Sequence, residues 1–112
     1  VLTTTGADLF RYNVLALSLN WCFAGCLKLQ QNATMFYAAG ESGTRFHDIA
    51  NLNFSNHFDR ASFTGTQGTA PDLWNCDFGT GAPNKTDCWD GAGNSLTSLT
   101  NYADIPVAWG HV

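Results

Sequence analysis

Four times in this chain an aromatic residue is followed by small ones: Phe23 in "CFAGC", Phe36 in "MFYAAG", Phe58 in "HFDRA" and Trp89 in "CWDGAG". The third residue after each aromatic is small or cysteine (Cys26, Ala39, Ala61, Ala92). The second is small in three of the four (Gly25, Ala38, Gly91), with Arg60 the exception. Laying "LSLNWCFAGC" over "LNFSNHFDRA" pairs Leu17 with Leu52, Leu19 with Phe54 and Phe23 with Phe58. The four aromatics stand 13, 22 and 31 residues apart, an irregular repeat with one short unit and one carrying an insertion. Self-similarity of this kind constrains the fold more than any other feature. A unit this small cannot bury its apolar face alone and must stack on a neighbour, aromatic on aromatic, with small residues where the chain bends.

Around these units the local patterns are shorter. In "NVLALSLNWCF", Leu15, Leu17, Leu19, Trp21 and Phe23 alternate with smaller or polar residues, the period-2 signature of a strand, although Leu9, Tyr12, Ala16, Leu19 and Phe23 also satisfy a helical period. In "IANLNFSNHF", Ala50, Leu52, Phe54, Asn56 and Phe58 share one face. The stretches "AAGESGT", "TGTQGTAPD" and "GTGAPNKTD" read as turns. Loops this long in so small a domain make most sense as the turns of a repeat. The expected fold is therefore a repeat solenoid of leucine-rich-repeat type, with short β-strands, tight or helical turns and a C-terminal cap. The expected organisation is an N-terminal segment over residues 1–13, repeats over 14–101 and a cap over 102–112, with Pro106 blocking further strand pairing. Its core should hold Leu17, Leu19, Phe23, Cys26, Phe36, Leu52, Phe54, Phe58, Leu96 and Leu99.

Composition narrows the partners. The 112 residues are 45% hydrophobic and 13% aromatic, enough for one domain with a modest core. Only 12% are charged, so the surface relies on Asn, Thr, Ser and Gly. Five Lys and Arg and a net charge of -4 argue against nucleic acid, whose phosphates need concentrated positive charge. The longest apolar stretch, from Val14 to Leu29, is interrupted by Ser18, Asn20 and Lys28, so no membrane span is expected. A start at Val1 suggests a processed product or a fragment.

The phrases "NWCFAGCLKL", "TMFYAAG", "NHFDRASFTGT", "GTAPDLW" and "DCWDGAGNSLTSLTNYADIPVAW" together resemble the BspA-like class of leucine-rich repeats, over about Leu15 to Trp109. The 13-residue unit at "TMFYAAG" and the stretch "ESGTRFHD" depart from that pattern. The resemblance implies a surface protein of a bacterium or bacteriophage, extracellular and non-enzymatic, which recognises a host-surface glycan or protein. The rival expectation is a structural decoration or fibre subunit of a virion or extracellular assembly, packed against neighbouring subunits.

Chemistry-bearing residues are sparse. Cys22, Cys26, Cys76 and Cys88 lack the paired spacing of a zinc ribbon and read as buried apolar positions, with a Cys76–Cys88 disulfide open in an exported chain. His47, Asp48, His57 and Asp59 are close in sequence, but ten residues between the histidines match no local metal motif. Asp72, Asp77, Asp87, Asp90 and Asp104 lie in turn-rich segments and read as Asx-turn or capping residues. No catalytic residue, metal or cofactor is expected. Three N-x-S/T sequons stand at Asn32, Asn53 and Asn84. The candidate binding residues are Gln67, Asp72, Trp74 and Asn75, on the segment that interrupts the repeat rhythm, together with Tyr102 and Trp109. Of these, Gln67, Asp72 and Asn75 are expected at the surface; Pro71 and Trp74 hold the loop rigid, or else Leu73 and Trp74 fold back over the core.

Overall fold

Asparagine and aspartate set the local geometry of this chain. The computed structural model describes residues 18–26, 29–37, 41–58, 67–89 and 98–110. Asn56 and Asp87 (φ 53° each) are the third residues of tight turns, closed by His57 N–H to the Phe54 carbonyl and Cys88 N–H to the Lys85 carbonyl. Positive φ at that place is what a type II turn requires, and Asn and Asp tolerate it best after Gly. Asn53 and Asn84 open the same segments with Asx turns: Asn53 Oδ1 accepts from the backbone N–H and hydroxyl of Ser55, and Asn84 Oδ1 accepts from Thr86 N–H. Asn32 does likewise for Thr34. The three sequons thus share one turn design.

Parallel rows of chain lie on one another through single bridges. Ser18 pairs with Asn53 and Asn53 with Asn84. Leu19, Trp21 and Phe23 donate to the carbonyls of Asn53, Ser55 and His57, while Phe54, Asn56 and Phe58 donate to those of Asn84, Thr86 and Cys88. The register is 35 residues for the first step and 31 for the second, the spacings from Phe23 to Phe58 and from Phe58 to Trp89. A second row joins Gln31 to Gln67 and Thr69, and Gly68 to Thr100. A third joins Gly43 to Asp77 and Asp48 to Phe78.

The register brings three rings into a column. Phe23 stacks on Phe58 (5.8 Å between centroids, 11° between planes) and Phe58 on Trp89 (5.3 Å, 19°). Trp109 continues it at 5.8 Å from Trp89, and its carbonyl accepts from Trp89 N–H. Phe36, aligned with these in sequence, lies elsewhere, against Phe46, Phe54 and His57. Its short unit is not an equivalent row.

The leucine-rich-repeat solenoid with short strands and a C-terminal cap is overturned. Among the described residues the regular elements are three-residue 3₁₀ turns at Ser42–Thr44, Leu73–Asn75, Tyr102–Asp104 and Val107–Trp109, with no helix of seven residues, no strand and no sheet. The molecule is a compact globule, 35 × 25 × 22 Å with a radius of gyration of 12.8 Å, and no solenoid is evident. The physical reason is backbone conformation. Trp21, Asn56 and Asp87 occupy equivalent places in three rows and all have positive φ, so the extended run in each of these rows ends after a few residues.

The same geometry redirects side chains. Leu19 and Phe23 are buried but Trp21, which alternation places on their face, turns out to solvent at 56% exposure. Of the expected core, Leu19, Phe23, Phe36, Leu52, Phe54, Phe58 and Leu99 are buried, whereas Cys26 is half-buried. Leu17, Leu96 and the segment 1–13 lie outside the described residues, as do Ala38, Ala39, Asp59, Arg60, Ala61, Asp90, Gly91 and Ala92. No helix among the described residues is long and apolar enough to cross a membrane.

Candidate functional site

A cleft of about 620 Å³ opens where three segments meet: the turn after Asn32, the stretch Thr69–Asn75 and the 3₁₀ turn Tyr102–Asp104 with Asn101 before it. The floor is set by backbone pairing. Asn101 uses its side-chain amide as a length of backbone, accepting from Ala70 N–H (2.9 Å) and donating to the Ala70 carbonyl (2.8 Å). Beside it the hydroxyls of Thr69 and Thr100 meet at 2.6 Å. The loop that carries Asp72 is pinned by buried Pro71 and Leu73 and by the Leu73–Asn75 turn, which Asn75 N–H closes on the Asp72 carbonyl.

Asp72 is the polar centre of the cleft. The phenolic O–H of Tyr37 donates to its Oδ1, and Asn75 Nδ2 donates to its Oδ2 at 3.3 Å. The carboxylate marks its surroundings. Burial, then the bond and charge of Asp72, push the Tyr37 phenol far above its ordinary range. The Cys76 thiol is pushed up to about 12, first by burial and then by Asp72, with Arg45 opposing. Trp74 is half-buried, held edge-to-face against Trp89 at 5.5 Å and 77°, and lines the cleft. Asp104 adds a second, exposed carboxylate. Among the described residues, no thiol, imidazole, amine or guanidinium lines the cleft, and the lining groups offer hydroxyls, amides, two carboxylates and an aromatic surface.

Of the six sequence candidates, Asp72, Trp74 and Asn75 meet in this cleft. Asn75 is exposed and Asp72 half-buried. Gln67, expected at the surface, is fully buried at 0% exposure, where its Oε1 accepts from Ser98 N–H. Its glutamine belongs to the second row of bridges. Trp109 is 3% exposed and closes the aromatic column, so it presents no face to a ligand. Tyr102 is half-buried and packs against the core beside the cleft.

Tyr37, Thr34, Thr69, Asn101 and Asp104 were missed. A signal for two of them existed in the repeat spacing. Tyr37 and Asp72 are 35 residues apart, and Ala70 and Asn101 are 31 apart, the same offsets that relate the aromatics.

Other constellations resolve differently. Cys22 is exposed and Cys26 half-buried, against the expectation that both are buried, and all four cysteines are free thiols, with no Cys76–Cys88 bridge. His57 is buried inside the aromatic core, whereas His47 is exposed between Asp48 (3.1 Å) and Asp77 (3.7 Å). No group of three or more His, Cys, Asp or Glu among the described residues is arranged to hold a metal ion. No protein family, curated protein or solved structure matches this chain.

Proposed function

We propose that the chain is a non-enzymatic recognition module, displayed on a bacterial or virion surface, whose cleft binds a carbohydrate. The observation that carries this reading is the cleft at Asp72: an indole surface on Trp74 beside carboxylate, amide and hydroxyl groups. An aromatic surface accepts the apolar face of a sugar ring, while planar acceptors and donors pair with its hydroxyls. The preformed geometry of Tyr37, Asp72 and Asn75 limits the ordering required on binding. Low overall charge suits a surface that discriminates by hydrogen bonding.

Titration calorimetry against a panel of oligosaccharides tests the proposal. Binding is expected for at least one class, with a loss of tenfold or more in Trp74→Ala (on the order of 1.4 kcal/mol) and an unchanged circular-dichroism spectrum. No saccharide binding across the panel overturns it.

A second reading rests on a separate observation. Trp21 and Val107 are large apolar residues left 56% and 78% exposed. A structural subunit would cover them against neighbouring chains. Sedimentation over a wide concentration range separates the two: self-association abolished by Trp21→Ser or Val107→Ser favours assembly, and a persistent monomer favours recognition.

A further inference from the structure

Resting on the carbohydrate reading of this cleft, we infer that its ligand is a saccharide bearing free amino groups, bound as the ammonium form. Two carboxylates, Asp72 and Asp104, line the cleft, and among the described residues no Lys, Arg or His does. The hydrogen-bond donors that hold Asp72 are the neutral groups of Tyr37 and Asn75. They orient the carboxylate without bringing a positive charge to it. The carboxylate's own charge reaches its neighbours, contributing to the raised pKa of both Tyr37 and Cys76. The chain as a whole carries a formal net charge of -4.

This arrangement discriminates among sugars by charge. A uronic or sialic acid brings a carboxylate against Asp72 and Asp104 and is repelled. A neutral sugar hydrogen-bonds to both but must strip water from two carboxylates without charge compensation. An ammonium group supplies that compensation and is attracted as well to the indole face of Trp74, the aromatic surface that favours cations most. Tyr37 and Asn75 contribute position: the Tyr37 O–H fixes Oδ1 of Asp72 and the Asn75 amide donates to Oδ2, each leaving acceptor capacity on the carboxylate.

The test is titration of the intact chain with three tetrasaccharides of matched linkage: a glucosamine oligomer, its fully N-acetylated counterpart and the plain glucose oligomer. The glucosamine oligomer is expected to bind about tenfold more tightly than either, the order of one weak ion pair plus one cation–π contact. That preference should shrink in about 1 M salt. It should also shrink several-fold in Asp104→Asn, an exposed position whose change leaves folding intact, and in Asp72→Asn, which keeps an acceptor for Tyr37.

Equal binding of all three saccharides overturns the inference and leaves the carbohydrate reading standing. A preference unchanged in both Asn variants also overturns it, since the charge would then be read elsewhere. Binding of a lysine amide as tightly as the glucosamine oligomer would assign the ammonium to a peptide and remove the saccharide. If no saccharide binds, the carbohydrate reading falls and the inference with it.

Discussion

His57 is a polar ring in an apolar place. Its ring stands edge-on to Phe23 (5.3 Å) and Phe58 (4.4 Å), and its Nδ1–H donates to the Leu19 carbonyl. Burial lowers its pKa from 6.5 to about 4, partly opposed by the bond to Leu19. The folded protein therefore holds His57 neutral, and protonation favours the unfolded chain. Its contribution to stability is whole above pH 6.5 and drains as pH falls through 4, amounting to about 3 kcal/mol. Urea melts between pH 7 and pH 4 should show a loss of this order, and His57→Asn should flatten it. Gly68 is constrained more sharply. Its φ is +78°, and a Cβ there would stand 2.2 Å from the Gln31 carbonyl oxygen. Both the clash and the dihedral oppose any other residue. Gly68→Ala should cost about 2–4 kcal/mol, read as a shifted denaturation midpoint.

At the scale of the element, the unit is a bridge followed by a turn. Asn53 and Asn84 start it, a residue with positive φ bends it, and an aromatic ends it on the column. In two rows the bend falls on Asn56 or Asp87, which accept it at little cost. In the first row it falls on Trp21 with φ 58°, where a bulky side chain bears a steric penalty of about 1 kcal/mol or more. Trp21 is exposed and recovers little by packing. Trp21→Asn should therefore raise stability, by about 0.5–1 kcal/mol in denaturant melts. A destabilised variant would show that this turn is held by something other than its backbone.

Across the whole molecule, the aromatic column and the cleft share one residue. Trp89 stacks on Phe58, faces Trp109, holds Trp74 edge-to-face and donates its indole N–H to Gln31 Oε1 at 2.9 Å. Trp89→Ala should cost about 3–5 kcal/mol by the cavity it leaves. Trp89→Phe keeps the stack but strands the buried Gln31 carbonyl, for about 1–3 kcal/mol. Because Trp74 leans on Trp89, the Phe variant should also weaken the proposed saccharide binding several-fold while remaining folded, measured by calorimetry beside a thermal melt. Unchanged affinity would show that Trp74 is positioned by its own loop alone.

The repeat spacing was legible in the residues. Aligning Phe23, Phe58 and Trp89 recovers the 35- and 31-residue register of the bridges, because rings that stack are carried by rows paired at the same offset. So was most of the core, since burial follows side-chain character at Leu19, Leu52, Phe54 and Phe58. Three residues of the cleft, Asp72, Trp74 and Asn75, lie on the inserted, proline-containing loop that the sequence singled out. What tertiary structure alone decided is where the chain bends and what faces the bend. Alternation at Leu19, Trp21 and Phe23 reads as strand, yet one positive φ sends Trp21 outward; that choice comes from the neighbouring row, whose Ser55 carbonyl takes the Trp21 N–H. Gln67 is polar and lies in a turn-rich stretch, and only the Ser98 N–H brought to it by folding makes its burial tolerable. Tyr37 and Asp104 reach the cleft the same way, carried there by rows whose partners are 31 to 35 residues distant, beyond the reach of any local pattern.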